Sequence, residues 1–266
     1  MVESLRELNR LCQKPRYKEV GNWMVRHVLR DVALPITWLL LHTPVTANQV
    51  TTLSFLIGLA GIALFVLPTP IFFLLGTILL QLWYLLDHVD GQIARYRGTA
   101  SLTGRFFDFL THHTIHGVIF FSLGMYGFRT SRHALFIVWG FVTSISMMLF
   151  NLIHDTKYKT FFEKLITLKA VKVKGRGEGK ESRPSGRVRL TFSFLHKICE
   201  IHVLMNILTL AAFFQTLTRL PLDLRFLFYC LYGIVVPVIA VTKITCLILN
   251  REIDREFEAQ FKVLNE

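Results

Sequence analysis

The stretch IFFLLGTILLQLWYLLDHVDGQIAR, residues 71–95, combines a long apolar run with charged groups at one end. An α-helix needs roughly 20 predominantly apolar residues to cross the hydrocarbon core of a bilayer, and this stretch is long enough. Its charged residues, Asp87, Asp90 and Arg95, all lie in the last third. Charged side chains within a membrane span are costly and usually mark a functional site. The stretch therefore predicts a membrane-spanning helix with a polar site near one end.

Apolar runs of similar length recur along the chain, which has 266 residues, 52% of them hydrophobic, and a mean hydropathy of +0.46. A soluble protein breaks its apolar segments into shorter amphipathic stretches, so these runs favour lipid-facing spans. The predicted fold class is an all-α integral membrane protein with six transmembrane helices, preceded by an N-terminal interfacial amphipathic helix. The predicted spans cover about 49–67, 71–95, 103–127, 133–157, 194–217 and 224–250, and the interfacial helix covers about 16–41.

These elements divide the chain into three regions. The regions are an N-terminal interfacial or juxtamembrane segment at 1–46, a six-span domain at 47–250 with a basic cytoplasmic loop at 159–191, and a cytoplasmic tail at 251–266. Thr46 or Asn48 is expected to cap the first span, because the side chains of Thr and Asn accept hydrogen bonds from the free N–H groups at a helix start.

The formal net charge of +12 comes from Lys and Arg concentrated between the predicted spans. Such residues are enriched in the cytoplasmic loops of membrane proteins, so both termini and the polar end of the second span are predicted to face the cytoplasm. Basic loops beside a membrane favour anionic headgroups and argue against a nucleic-acid partner. The four cysteines have no CxxC spacing, which argues against a disulfide framework or a zinc site. The first 30 residues contain no apolar segment typical of a signal peptide.

Two pairs of polar residues occur at helical spacing on neighbouring predicted spans. Asp87 and Asp90 are three residues apart near the end of the second span. Asp108 and His112 are four residues apart at the start of the third span. Positions three or four apart share one face of a helix, and the short turn makes the two spans antiparallel neighbours. Carboxylates facing each other at membrane depth repel unless cations lie between them, so the pattern predicts a site for Mg²⁺ or Mn²⁺ together with a substrate phosphate.

The sequence from Asp87 to Asp108 resembles the signature of the CDP-alcohol phosphotransferases. That signature reads DxxDGxxAR, eight residues, G, three residues, D, three residues, D, and seven of its eight fixed positions occur here at the right spacing. The six-span layout, the interfacial helix and the entry TANQVT at 46–51 are also similar to the family. The matching residues are Asp87, Asp90, Gly91, Ala94, Arg95, Gly104 and Asp108.

The resemblance implies that an acceptor hydroxyl displaces CMP from a CDP-linked donor, a reaction of phospholipid biosynthesis that uses two divalent metal ions. The donor is expected to be CDP-diacylglycerol, with an archaeal-type CDP-lipid or a soluble CDP-alcohol such as CDP-choline as alternatives. A homodimer is possible, as among relatives. By resemblance, the metal ligands are Asp87, Asp90, Asp108 and His112, and the nucleotide- and phosphate-binding residues are Gly91, Ala94, Arg95 and Gly104.

The eighth position of the signature is aspartate in the family and His112 here. The family's aspartate serves as general base and metal ligand, and a histidine can take a proton or bind a metal, with Mn²⁺ or Zn²⁺ suiting it better than Mg²⁺. Three interpretations stay open: a catalytic base or ligand, a catalytically impaired pseudoenzyme that binds nucleotide or lipid, or a histidine without a role. His116, one turn deeper, is expected either to orient His112 by a hydrogen bond or to be satisfied by a neighbouring helix, and His113 points away.

The acceptor alcohol is harder to infer. In the family its pocket is shaped by the later spans and their cytoplasmic ends, where the candidates are Arg105, His154, Lys157 and Asn206. Basic groups there favour an acceptor that carries a phosphate, although topology alone also accounts for basic residues at such positions. A cation transporter is disfavoured, because the acidic residues cluster at one side of two spans and the outer halves hold no matching polar path.

Overall fold

Most of the helices begin and end close to the predicted spans. In a computed structural model, the structure describes residues 3–13, 23–67, 69–168, 171–173, 197–218 and 221–263. The α-helices are α1 (Leu5–Cys12), α2 (Arg30–Leu41), α3 (Ala47–Phe65), α4 (Pro70–Tyr96), α5 (Leu102–Ser131), α6 (Leu135–Thr167), α7 (Ile201–Leu217), α8 (Leu224–Leu249) and α9 (Glu252–Gln260). A π-helical turn, Val25–Leu29, leads into α2, and two short strands are β1 (Val171–Val173) and β2 (Phe261–Val263). Residues 16–22 of the predicted interfacial helix, 169–170 and 174–191 of the predicted loop, and 194–196 of the predicted fifth span lie outside the described residues.

Within the part of the chain that the structure describes, the six longest helices form a closed ring. Each packs against two neighbours in the order α3, α4, α7, α8, α6 and α5, and α5 contacts α3 to close the ring. The interior is filled by large side chains such as Trp83, Phe120 and Tyr229, none of which is more than 1% exposed. Many large apolar side chains face outward instead, as expected where lipid replaces water.

Four of these helices, α3, α4, α6 and α8, are long and apolar enough to cross a membrane. Helix α7 is apolar but has 17 residues, and α5 has 30 residues with its aspartate and its three histidines in the first half. The predicted number of six spans therefore stays a prediction.

The entry to α3 is fixed by a reciprocal pair of hydrogen bonds. The Gln49 backbone N–H donates to the Thr46 hydroxyl, and the Thr46 backbone N–H donates to the Gln49 side chain. This capping box satisfies N–H groups that would otherwise lack partners at the helix start. The prediction that Thr46 or Asn48 caps the first span is therefore confirmed for Thr46.

Helix α6 continues well past its predicted end. The prediction ended this span near residue 157 and began a loop at 159, because charged residues start there, but the helix runs to Thr167. The extension is stabilised by an aromatic contact between Phe161 and Phe257, which are 3% and 2% exposed. The predicted tail at 251–266 likewise contains helix α9 and strand β2, and β2 pairs antiparallel with β1.

Helices α3 and α4 approach closely because glycines lie at their contact. A Cβ atom added at Gly61 would lie 2.7 Å from the carbonyl oxygen of Gly76, and one at Gly76 would lie 2.5 Å from the carbonyl oxygen of Gly61. Small residues at such crossings allow two backbones to pack directly against each other in a membrane. The crossing sets how near the polar end of α4 lies to α3.

We expect Gly61→Leu to lower the thermal unfolding midpoint in detergent, because the new side chain would push the two backbones apart. Overpacking of this kind costs about 1–3 kcal/mol. Ala60→Leu is the matched control, since Ala60 is the preceding residue of the same helix and is exposed. Equal midpoints for the two variants would contradict the close crossing.

Candidate active site

The polar ends of α4 and α5 are brought together by a short turn. Gly98 takes a positive φ of 65° in this turn, a conformation that favours glycine. Ser101 caps α5 by accepting a hydrogen bond of 3.0 Å from the Gly104 backbone N–H. The Arg97 guanidinium donates to the carbonyl oxygens of Val45 and Thr43, at 2.5 and 2.7 Å. These bonds tie the end of α4 to the start of α3, so that three helices meet at one level.

A compact group of three side chains lies between α4 and α5. The ring nitrogens of His112 lie 3.5 Å from Asp87 Oδ1 and 3.0 Å from Asp108 Oδ1. One ligand atom from each residue lies within 4.8 Å of the others. Two carboxylates and an imidazole at this spacing fit a divalent cation, with nitrogen favouring Mn²⁺ over Mg²⁺.

Asp90 lies beside this group but has a different partner. Its Oδ2 accepts a hydrogen bond of 2.6 Å from the Thr51 hydroxyl on α3, and the residue is 8% exposed. The carboxylate is thereby held toward the aspartates of α4 and α5. Of the four predicted metal ligands, the structure brings Asp87, Asp108 and His112 into one group and leaves Asp90 at its edge.

A cavity of about 380 Å³ opens beside the aspartates and is lined by α3, α4 and α5. The glycines among its lining residues keep it open. A Cβ at Gly91 would lie 3.0 Å from Arg95 Nη1, and one at Gly104 would lie 3.4 Å from Asn48 Oδ1. All four residues predicted to bind nucleotide and phosphate line it, and the full lining is Ala47, Asn48, Thr51, Asp90, Gly91, Ala94, Arg95, Thr99, Ala100, Ser101, Leu102, Gly104, Arg105 and Asp108.

A second cavity of about 160 Å³ lies against the same aspartates and reaches helix α2. It shares Asp90, Gly91, Arg95 and Asp108 with the larger cavity. Its other lining residues are Arg30, Asp87, His88 and Gln92.

Arg95 connects the two cavities with the N-terminal helix. Its Nε donates a hydrogen bond of 2.5 Å to the Cys12 carbonyl oxygen at the end of α1. Leu8 and Cys12 form the buried face of α1. Burial raises the pKa of the Cys12 thiol, which therefore stays neutral beside the Arg95 guanidinium. Arg95 is thus held at the boundary between the cavities by the chain's own backbone.

Comparison with known proteins identifies this segment. The family model for CDP-alcohol phosphatidyltransferase matches residues 44–173, which contain the aspartates, His112 and the larger cavity. Residues 44–173, just under half of the chain, are therefore similar to the CDP-alcohol phosphatidyltransferase family.

A curated protein and two crystal structures are also similar to this chain. A curated protein from Thermococcus kodakarensis, the bifunctional IPC transferase and DIPP synthase, is 27% identical over 147 residues, which are 55% of this chain and 32% of that protein. The chain thus spans about a third of that relative's length. Two crystal structures of phosphatidylinositol phosphate synthase from Mycobacterium tuberculosis are each 17% identical over 80% of this chain. The structure with CDP-DAG bound is matched over 92% of its length with a TM-score of 0.54, and the structure with manganese and citrate over 87% with a TM-score of 0.55.

These structural matches show that the chain shares the fold of phosphatidylinositol phosphate synthase. The predicted fold class of an all-α integral membrane protein is thereby confirmed.

The other histidines of the family segment have separate partners. His113 Nε2 lies 3.1 Å from Asp155 Oδ2 on α6, away from the metal-ligand group. His116 Nδ1 lies 2.9 Å from Asn151 Nδ2, and its ring meets that of His112 at a centroid distance of 5.9 Å and an angle of 85°. Asn151 on the neighbouring helix α6 is therefore the partner of His116 Nδ1, whereas the buried His116 Nε2 has no hydrogen-bond partner among the described residues.

The predicted acceptor candidates are scattered. Only Arg105 lines either of the two cavities beside the aspartates. Lys157 forms an ion pair of 2.7 Å with Glu256, and Asn206 accepts a hydrogen bond from Gln81. The side chain of His154 lies outside the described part of the structure.

Sequence reasoning missed four residues that line the cavities: Asn48, Thr51, Arg30 and Gln92. Asn48 and Thr51 lie in the entry motif that resembled the family, so their proximity to the family's aspartates was a usable signal. Gln92 occupies a variable position of the signature. Arg30 lies within the predicted interfacial amphipathic helix at 16–41, and no local pattern distinguished it.

We expect Asp108→Asn to weaken Mn²⁺ binding by at least about tenfold, because the variant loses a charged oxygen ligand. Electron paramagnetic resonance of free Mn²⁺, with protein in detergent, measures this change. Asp155→Asn is the matched control, since Asp155 pairs with His113 outside the group. Equal Mn²⁺ affinity in both variants would contradict a metal site at Asp108.

Proposed function

We propose that the protein is a membrane transferase that moves a substituted phosphate from a CDP-linked alcohol to the hydroxyl of an acceptor alcohol, with release of CMP. The observation that carries the proposal is the group of Asp87, Asp108 and His112 beside a cavity walled by Gly91 and Gly104. Acidic metal ligands next to space for a nucleotide are what transfer of a substituted phosphate requires. The reaction belongs to phospholipid biosynthesis.

The donor we propose is a CDP-linked lipid, and CDP-diacylglycerol first among such lipids. Support comes from the Mycobacterium tuberculosis structure that has CDP-DAG bound and from the larger cavity, which lies at the end of helices with apolar outer faces. The small side chains of Gly91, Ala94 and Gly104 would leave room for the cytidine and its phosphates. Arg95 would bind the diphosphate where the two cavities adjoin.

We propose that Asp87, Asp90, Asp108 and His112 hold divalent cations, Mn²⁺ or Mg²⁺, in a two-metal site. The manganese in the related structure and the 4.8 Å group support this assignment. When bound, such ions stabilise negative charge on the attacking and leaving oxygens. Thr51 would keep the Asp90 carboxylate oriented toward the site through its hydroxyl.

In the alternative in which it does not bind a cation, His112 would accept the proton of the acceptor hydroxyl. As the acceptor oxygen forms its bond to phosphorus, the bond from phosphorus to the CMP oxygen breaks, and CMP leaves with the electron pair. Asp108 approaches one ring nitrogen of His112 and would orient the ring, while Trp83 packs against it at a centroid distance of 5.2 Å and excludes water from that side.

The acceptor would enter beside Arg105, the predicted acceptor residue that lines the larger cavity. A guanidinium there favours an acceptor that carries a phosphate, such as glycerol phosphate or inositol phosphate. His154, Lys157 and Asn206 remain weaker candidates. We also propose that the site and both termini face the cytoplasm, from the distribution of Lys and Arg, and a homodimer stays a prediction.

A second candidate function is binding of nucleotide or lipid without catalysis. The position of His112 favours it, because both ring nitrogens lie within 3.5 Å of an aspartate oxygen. A protonated imidazole between two carboxylates would offset one of their two negative charges and compete with a metal ion.

We expect CMP release from CDP-diacylglycerol, in the presence of Mn²⁺ and a panel of alcohols, to fall roughly 10²–10⁴-fold in His112→Ala, because the general base is lost. His112→Asp should remain active, since it restores the family's residue. His113→Ala is the matched control and should keep wild-type turnover, because His113 pairs with Asp155 instead. Protein in nanodiscs and chromatographic detection of CMP provide the measurement.

Two results separate the candidate functions. Acceptor-dependent CMP release by the wild type supports the transferase. Absence of release from the wild type, with turnover gained in His112→Asp, would instead identify a binding protein on an enzyme scaffold.

A further inference from the structure

Helix α1 lies outside the segment that matches the family, yet it contacts a residue of the candidate active site. It spans Leu5–Cys12 and therefore precedes residues 44–173. The carbonyl oxygen of its last residue, Cys12, accepts a hydrogen bond of 2.5 Å from Arg95 Nε. Arg95 lines both cavities beside the aspartates. The N-terminal region thus touches a residue that the proposed function assigns to the donor.

One face of α1 is buried against the helix bundle. Leu8 and Cys12, which are four residues apart on this face, are both 0% exposed. They belong to one apolar cluster with Val89 and Ile93 of α4. An isolated helix of eight residues is not stable in water, so α1 depends on this contact for its own structure.

A second attachment holds the start of α1. The Tyr96 hydroxyl donates a hydrogen bond to Glu3 Oε2. The Trp38 indole N–H, on α2, donates one of 3.1 Å to the Glu3 carbonyl oxygen. Tyr96 follows Arg95 on α4, so consecutive residues of α4 bind the two ends of α1. The position of α1 relative to Arg95 is therefore fixed from both sides.

The bond to α1 leaves the other edge of the Arg95 guanidinium beside the cavities. A Cβ atom added at Gly91 would lie 3.0 Å from Arg95 Nη1 and 3.4 Å from Nη2, and Gly91 lines both cavities. A guanidinium is planar, so a bond at Nε fixes the direction of both Nη atoms. Carbonyl groups in the last turn of a helix lack partners within that helix and lie at the negative end of its dipole. The Cys12 carbonyl is therefore a suitable acceptor for this cation.

We propose that α1 is a positioning element for the CDP-linked donor. Through the Cys12 carbonyl oxygen, it holds Arg95 in the orientation that binds the donor's diphosphate. The inference rests on the proposed function. An arginine that is fixed before its ligand arrives loses less rotamer freedom on binding, which favours affinity. Leu8, Cys12 and Tyr96 act on the donor only through Arg95.

Equilibrium binding of CDP-diacylglycerol tests the proposal without turnover. Leu8→Asp places a charge in the buried face of α1 and releases the helix. Leu11→Asp is the matched control, because Leu11 lies on the same helix and is 48% exposed. Tyr96→Phe is a milder variant that removes one hydrogen bond of the second attachment. The measurement is calorimetry in nanodiscs with Mn²⁺, and size-exclusion profiles and Mn²⁺ affinity show whether each variant is folded.

We expect Leu8→Asp to weaken donor binding by about tenfold and Tyr96→Phe by about two- to threefold, because Arg95 is no longer held. Leu11→Asp should bind the donor as the wild type does. Mn²⁺ affinity should stay unchanged in all three variants, since the proposed metal ligands lie on α4 and α5. In an Arg95→Gln background, Leu8→Asp should cause little further loss, because both changes remove the same contact with the donor.

Equal donor affinity in the wild type and in a folded Leu8→Asp would overturn the proposal. An equal loss in the wild-type and Arg95→Gln backgrounds would also overturn it, because α1 would then support the fold without acting through Arg95. If Leu8→Asp does not fold, Tyr96→Phe decides by the same comparison of the two backgrounds.

Failure of the proposed function gives a different result. A wild type that binds CDP-diacylglycerol but releases no CMP refutes the transferase, and the variants still decide the role of α1. A wild type that does not bind CDP-diacylglycerol refutes both the proposed donor and this inference.

Discussion

Carboxylates inside a bundle of apolar helices are stable only if each has a polar partner, and this requirement shapes the whole site. Asp90 has the Thr51 hydroxyl of α3, and Asp87 has the His112 ring of α5. Two aspartates of one helix therefore need two different neighbours at the same level. The glycine crossing of α3 with α4 and the ties made by Arg97 supply that geometry, and the cavities are the space left between the three helices.

The sequence predicted those parts of the molecule that depend on local periodicity. Helix positions, the cap at Thr46 and the shared face of Asp108 and His112 follow from spacing along one or two helices. Contacts between distant segments had no such signal. Arg30 lines the smaller cavity together with the aspartates because α2 packs against α4, and α6 extends past its charged residues because Phe161 packs against Phe257 on α9. The sequence showed basic residues at the helix ends, but it could not separate substrate-binding residues from those in structural ion pairs. Partners such as Glu256 come from elsewhere in the chain.

His112 and His113 are adjacent histidines on α5, yet the rotation of the helix points their side chains in different directions. His112 faces the aspartates, whereas His113 is turned by about 100° and pairs with Asp155. One position along the chain thus decides between the site and a structural contact with α6. His116 lies on the same face as His112 one turn later, where its Nδ1 contacts the Asn151 side chain. The row of polar residues on this face ends at His116, and apolar packing begins beyond it. The depth of the site in the bundle is set by this change.

Strands β1 and β2 join segments that are made at different times. β1 precedes α7 and α8, whereas β2 follows them, yet Val173 pairs with Phe261. A ribosome delivers the family segment and β1 first, so β1 has no partner while two further helices insert. Its pairing has to wait until Val263 has emerged. Closure of this extramembrane segment is therefore a late step of biogenesis, and a nascent chain arrested before it would already hold the aspartates and His112.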